Sequence, residues 1–165
     1  MDRSGGQKML VSLDPGKKVA GVAVFEDNEL SAAWLVRGIG WLTTADTVYS
    51  DVVCRYPPEV YSDLEFVFER MQIYTQNKLK GDPNDLVDVA LMSGATAALF
   101  SRSFGARVKE YLPRQWSMQP KNVKERRVKE RLSKDELARI ELPAKSYRHN
   151  VYDTIGIGLY HLQRW

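Results

Sequence analysis

Residues 9–25 read MLVSLDPGKKVAGVAVF, two apolar runs joined by Asp14-Pro15-Gly16 and a pair of lysines. Met9, Leu10, Val11 and Leu13 make the first run nearly continuous, which is the pattern of a short strand buried on both faces in the middle of a sheet. Pro15 presets a turn and Gly16 supplies backbone freedom, so the chain reverses through Lys17 and Lys18 into a second strand over residues 19–25. Asp14 then stands at the C-terminal end of the first strand. Open α/β sheets gather their chemistry at that edge, and a carboxylate there needs a cation, a proton or a hydrogen-bond donor to offset its desolvation. Taken alone, Asp-Pro-Gly favours an aspartate that merely caps the turn through downstream amides, because Asp is a common turn initiator. The rest of the chain has to separate the two readings.

The 165 residues, 44% hydrophobic and 10% aromatic, predict a single domain over 1–165, with residues 1–7 flexible. A chain of this length buries about 70% of its unfolded surface. The apolar runs fall far short of the roughly 20 residues that span a bilayer, and MDRSGGQK lacks the apolar core of a signal peptide. The expectation is a soluble, cytoplasmic protein. Cys54 is the single cysteine and there are two histidines, so an intrachain disulfide and a cysteine-rich zinc site are excluded and a metal would be held by carboxylates. Charge is uneven: residues 107–131 hold nine basic residues against three acidic ones, a segment of +6 in a chain of net +3. Such a segment suits phosphate binding, or a solvated helix face.

After Asn28 a short apolar run over 29–36 completes an antiparallel meander of three strands. Thr43-Thr44-Ala45-Asp46 resembles a helix start, and the helix ends before Pro57-Pro58. Residues 63–73, DLEFVFERMQI, follow as a central strand with Glu65, Val67 and Glu69 on one face. Because a crossover helix intervenes, this strand is expected parallel to the first, which brings Glu69 close to Asp14. Beyond it Gln72, Tyr74, Gln76, Asn77, Lys78 and Lys80 form a polar loop on the same edge, suited to lining a nucleic-acid groove. Asp82 caps a helix with Pro83 at its first position, running to about residue 101. A strand over 106–112, a helix over 121–132 and a capping box at Ser133–Glu136 come next. The last helix, about 148–163, carries an apolar stripe of Val151, Ile155, Leu159 and Leu162, with Gly156 and Gly158 allowing close backbone approach. His149, Asn150 and Asp153 project from one face near its start.

Three carboxylates therefore converge: Asp14, Glu69 and Asp153. With L-D-P-G followed by G-V-A, then F-E-R-M-Q, then a final D-x-I-x-I-x-L helix, residues 8–163 resemble the RuvC-type Holliday junction resolvases of the ribonuclease H-like superfamily. G-D-P-N-D-L and H-N-V-Y-D are similar to the variant carried by bacteriophages. The resemblance implies an α/β fold with a five-stranded mixed sheet flanked by helices, three strands antiparallel and the fourth and fifth parallel to the first. It also implies a homodimer that cuts four-way DNA with Mg²⁺ or Mn²⁺ in a bacterial cell or phage-infected host, in recombination and repair. Asp14, Glu69 and Asp153 match the family's metal-binding acids. Where many members have a further Asp, this chain has Asn150, preceded by His149, which is the stronger candidate for ligating manganese, bonding the phosphate or orienting water. Lys121 and Lys124 match the family's basic residues after the fifth strand. Lys121 and Lys124 are the leading candidates for phosphate contacts and Arg126, Arg127 and Lys129 weaker ones, and Met71, Gln72 or Tyr74 is a candidate wedge for a junction centre.

The chemistry requires such acids in any case. A phosphodiester repels hydroxide, and two oxygen-liganded cations about 3.5–4 Å apart generate the nucleophile and stabilise the leaving 3′ oxygen, giving 5′-phosphate ends. The same acids fit a broader branched-DNA or RNA nuclease, and the Asn150 departure fits a branched nucleic-acid-binding module that has lost catalysis.

Overall fold

The first strand, β1 (Lys8–Asp14), has five consecutive buried residues at its centre, and the chain is built outward from it. The computed structural model describes residues 7–72 and 82–165. β2 (Val19–Glu26) and β3 (Glu29–Arg37) extend the sheet antiparallel on one side, while β4 (Asp63–Glu69) and β5 (Arg107–Tyr111) extend it parallel on the other, in the order β3-β2-β1-β4-β5. This is the mixed sheet expected from the sequence. The β2–β3 hairpin closes through Asp27 and Asn28, both with positive φ (49° and 72°), a conformation that Asp and Asn tolerate and that matches strand twist in a two-residue turn.

Helices cover both faces. On one lie α1 (Trp41–Arg55) and α2 (Pro83–Phe104), over a core that includes Val11, Leu13, Phe66, Phe100 and Val48. Phe100 stacks on Phe66 at 5.1 Å and Phe104 on Tyr61 at 4.1 Å. The other face holds α3 (Pro113–Trp116), α4 (Lys121–Arg131), α5 (Lys134–Ala138) and α6 (Arg148–His161), with Phe25, Val67, Trp116, Val128 and Ile155 between them. α6 lies directly on the strands: a Cβ at Gly158 would stand 2.2 Å from the Phe25 ring, so only glycine permits that approach.

Three expected boundaries are corrected. The helix expected to open at Thr43 starts at Trp41, because Thr43 instead sits in the first turn and its hydroxyl accepts from the N–H groups of Ile39 and Gly40 at 3.0 and 3.1 Å. The strand expected over 63–73 stops at Glu69. Its neighbours end there: β1 runs into Pro15, and β5 into Pro113, which has no N–H to continue a ladder. Arg70 N–H makes one last bond, to the Tyr111 carbonyl at 2.8 Å. The helix capped by Asp82, whose side chain accepts from Asn84 N–H at 2.9 Å, runs to Phe104 rather than 101. Gly105, at φ 66°, ends it in the left-handed conformation.

Candidate active site

Asp14 and Glu69 are the last residues of two adjacent parallel strands. Leu13 pairs with Phe68, so both acids leave the sheet one step beyond the same rung. Asp153 comes from the second turn of α6, and a reciprocal pair of bonds fixes its height above the sheet. Thr154 Oγ1 donates to the Ser12 carbonyl at 2.8 Å and Ser12 Oγ donates to the Thr154 carbonyl at 2.9 Å. A Cβ at Gly21 would stand 2.1 Å from the Asn150 carbonyl oxygen, so the start of α6 presses on β2 beside the same edge. Sheet and helix thus bring three carboxylates together from three parts of the chain.

Their electrostatics are those of a cluster short of positive charge. Burial first, then the Asp153 and Glu69 carboxylates, push the Asp14 carboxyl well above the usual aspartate range, against the pull of Lys124 and Lys121. Burial, then Asp153, raises Glu69 to about 7, with Lys124 and the Trp116 indole N–H holding it down. The compensating cation is Lys124 from α4, whose ammonium meets Asp153 Oδ1 at 2.6 Å with the two side chains 9% and 14% exposed. At that burial an ion pair is held by geometry, and losing either partner would leave an uncompensated charge.

His149 lies in the first turn of α6, where burial and then the nearby Lys121 ammonium lower its imidazole below the usual range, opposed by the Asp153 carboxylate and the Ser146 backbone. A neutral ring beside the acids is available to accept a proton or a hydrogen bond. Asn150, by contrast, turns its backbone carbonyl towards Gly21. Of the other residues named from the sequence, Lys121 is exposed at the start of α4, while Arg126 pairs with Glu130 at 3.7 Å, Lys129 with Glu125 at 2.7 Å, and Arg127 lies 5.0 Å over the Trp165 ring. Met71 and Gln72 are half-buried just past β4. Tyr74, Lys78 and Lys80 lie outside the described residues.

Two features escaped sequence reading. Lys124 is a counter-ion of the acids rather than a free surface charge, and a lysine amid arginines in a basic run carries no local sign of that. Trp116 packs beside Glu69 and under Lys124, and its only sequence signal was a tryptophan placed between the fifth strand and the basic segment. Elsewhere, Glu65, His161 and Tyr111 form a chain of hydrogen bonds at the other end of α6, with Arg107 on Glu65 at 2.8 Å.

Three carboxylates are the donor type a hard divalent cation takes, and burial and mutual repulsion oppose the ionisation of two of them. As they stand, no three His, Cys, Asp or Glu side chains among the described residues are gathered closely enough to hold a metal ion. The Lys124 ammonium occupies Asp153 instead.

A mixed sheet of this order, covered by helices on both faces, is the ribonuclease H-like fold. No family model and no curated protein matches the sequence. Among solved structures, RuvC of Thermus thermophilus is similar at a TM-score of 0.60 and 19% identity, covering 93% of each chain. The same protein in complex with Holliday junction substrate matches at 0.54 and 18%, covering 94% of this chain and 92% of that one. The Fowlpox virus resolvase in complex with substrate Holliday junction DNA matches at 0.51 and 16%, over 94% and 97%. At these identities the likeness is one of fold, and the fold is RuvC-like along nearly the whole chain.

Proposed function

We propose that the chain is a metal-dependent, structure-selective endonuclease that resolves Holliday junctions by paired symmetric nicks. The observation that carries this reading is the meeting of Asp14, Glu69 and Asp153 at one edge of a RuvC-like sheet, with ionisation of two of them opposed by burial and by their neighbours. Two solved structures of this fold contain Holliday junction DNA, which favours the same substrate here.

Asp14, Glu69 and Asp153 would hold Mg²⁺ or Mn²⁺, two ions per site. Bound there, such ions supply a nucleophile at neutral pH and positive charge for the phosphate and the leaving 3′ oxygen, so that 5′-phosphate ends result. Lys121, exposed beside the acids, binds a phosphate of the incoming strand. Lys124 exchanges its carboxylate partner for a phosphate as the cluster gains positive charge. His149, held neutral, orients water or takes a proton next to the scissile bond.

A four-way junction has two-fold symmetry, so paired cutting calls for a closed dimer with two sites. The exposed apolar side chains of α1 and α2 support one: Leu42 is 61% exposed, Val87 57% and Leu91 45%, beside the small Ala90, Gly94 and Ala95. α2 is acidic at its start (Asp82, Asp85, Asp88) and carries Arg102 near its end, so two antiparallel copies would set opposite charges against each other.

The test is incubation of a labelled immobile four-way junction, matched duplex, flap and RNA–DNA hybrid with Mg²⁺, Mn²⁺ or EDTA. The reading expects metal-dependent nicks at symmetric positions in the junction. Nicks spread over all branched substrates, or in RNA, would point to a broader nuclease, and tight binding without cleavage to a binding module.

A further inference from the structure

β3 passes into α1 through Gly38-Ile39-Gly40, a turn built against the one that follows Asp14. Gly38 N–H donates to the Lys18 carbonyl at 2.9 Å, and the Thr44 hydroxyl donates to the Lys17 carbonyl at 2.8 Å. A Cβ at Gly38 would stand 2.6 Å from the Thr44 nitrogen, so only glycine allows that approach. Thr43 Oγ1, accepting from the Ile39 and Gly40 N–H groups, ties the tip down from inside the helix. Yet the isoleucine on this fixed tip is 87% exposed, more than any other large apolar side chain among the described residues.

A lone exposed apolar residue needs no explanation by itself, but this one stands beside the acids. Asp14 pairs with Gly21 on β2, and Val19 on β2 pairs with Arg37 at the end of β3. The turn therefore leaves the sheet at the edge that carries Asp14 and Glu69, from a strand about 10 Å away from β1. Exposed cations flank it: Lys18 on the neighbouring turn, and Arg37, whose guanidinium lies 4.4 Å over the Tyr147 ring just before α6. Past β4, by contrast, Met71 and Gln72 are half-buried.

We infer that Ile39 is a specificity-determining wedge, which enters an opened base step at the branch point of the DNA while Lys18 and Arg37 hold phosphates on either side. This rests on the branched-DNA reading above. Proteins that kink DNA insert apolar side chains of this kind between base steps, and unstacking costs least where bases are already unpaired or mismatched. A continuous duplex would have to be opened to admit the side chain, so the wedge favours branches over duplex.

The test places 2-aminopurine, whose fluorescence rises on unstacking, at successive positions around the centre of an immobile four-way junction, with the protein in EDTA so that no strand is cut. The wild type should brighten the probe at the step it enters and bind the junction more tightly than matched duplex. Ile39→Ala should leave the probe dark and bind the junction about 10-fold more weakly, with duplex affinity and sedimentation unchanged, and Ile39→Leu should restore the brightening. Equal brightening and equal junction preference in Ile39→Ala would overturn the inference, and Ile39 alone would leave the account. Altered sedimentation of Ile39→Ala would also overturn it, assigning the side chain to a contact between copies. If the wild type does not prefer the junction to duplex, the branched-DNA reading fails with it.

Discussion

On the proposed function, Asp14 is the residue at which stability and function oppose each other. Its carboxyl is raised by burial and by the neighbouring Asp153 and Glu69, so the folded chain holds together a group of like charges that it would relax by losing one. Asp14→Asn removes the repulsion while keeping the shape. Metal-free protein carrying it should therefore melt higher, by about 2–4 °C for a gain of about 1 kcal/mol at this length. Cleavage should fall about 10³-fold or more, some 4 kcal/mol of barrier, with junction binding retained. Calorimetric melting and single-turnover cleavage measure the two effects, and unchanged cleavage would remove Asp14 from the mechanism. Lys124 has the reverse sign. Lys124→Ala leaves Asp153 without its 2.6 Å partner, and breaking a buried pair on one side costs about 3–5 kcal/mol. The loss should be large in EDTA and mostly recovered in saturating Mg²⁺. A loss equal in both conditions would show that no cation takes the lysine's place.

At the level of elements, α5 and the C-terminus are pinned by one acid. Burial would raise Glu136, but the Arg164 guanidinium at 2.9 and 3.1 Å, with the N–H groups of Leu30 and Ser133, outweighs it and holds the carboxyl at about 2. Because the folded value lies below the unfolded one near 4.5, the unfolded chain binds the proton first. The stabilisation is present in full above pH 4.5 and is lost as pH falls towards 2, on the order of 3 kcal/mol at this 4% exposed group. Acid titration of unfolding free energy in the wild type and Glu136→Gln should show that window in the former and a flatter curve in the latter. Much of this architecture was legible in advance. Apolar runs and Pro/Gly punctuation located the strands, and the crossover helix required β4 to run parallel to β1, which placed Glu69 beside Asp14. Helix ends were read less well where a side chain from inside the helix made the cap, as Thr43 does for Gly40. The Lys124–Asp153 pair and the Trp116 donor were not legible, because both depend on the packing of α4 and α3 against α6, a tertiary fact without periodicity or motif.

For the whole molecule, the proposed function gives two surfaces two tasks: the apolar face of α1 and α2 would join two copies, and the acid-lined edge of the sheet would cut. If the face joins two copies, Leu91→Glu should convert a dimer to a monomer in sedimentation equilibrium, with the fold intact by circular dichroism. It should also turn paired cutting into independent single nicks. A wild-type chain that sediments as a monomer at micromolar concentration would remove the dimer.

The most direct test of the central claim, that two such carboxylate sites resolve one junction, is a supercoiled plasmid that extrudes a cruciform, incubated with the unaltered protein and Mg²⁺ or Mn²⁺. Coordinated cuts across the junction convert the plasmid to linear DNA with ligatable ends mapped symmetrically at the cruciform base, and EDTA or Asp14→Asn abolishes them. Accumulation of nicked circles alone, or linear product unaffected by EDTA, would contradict it.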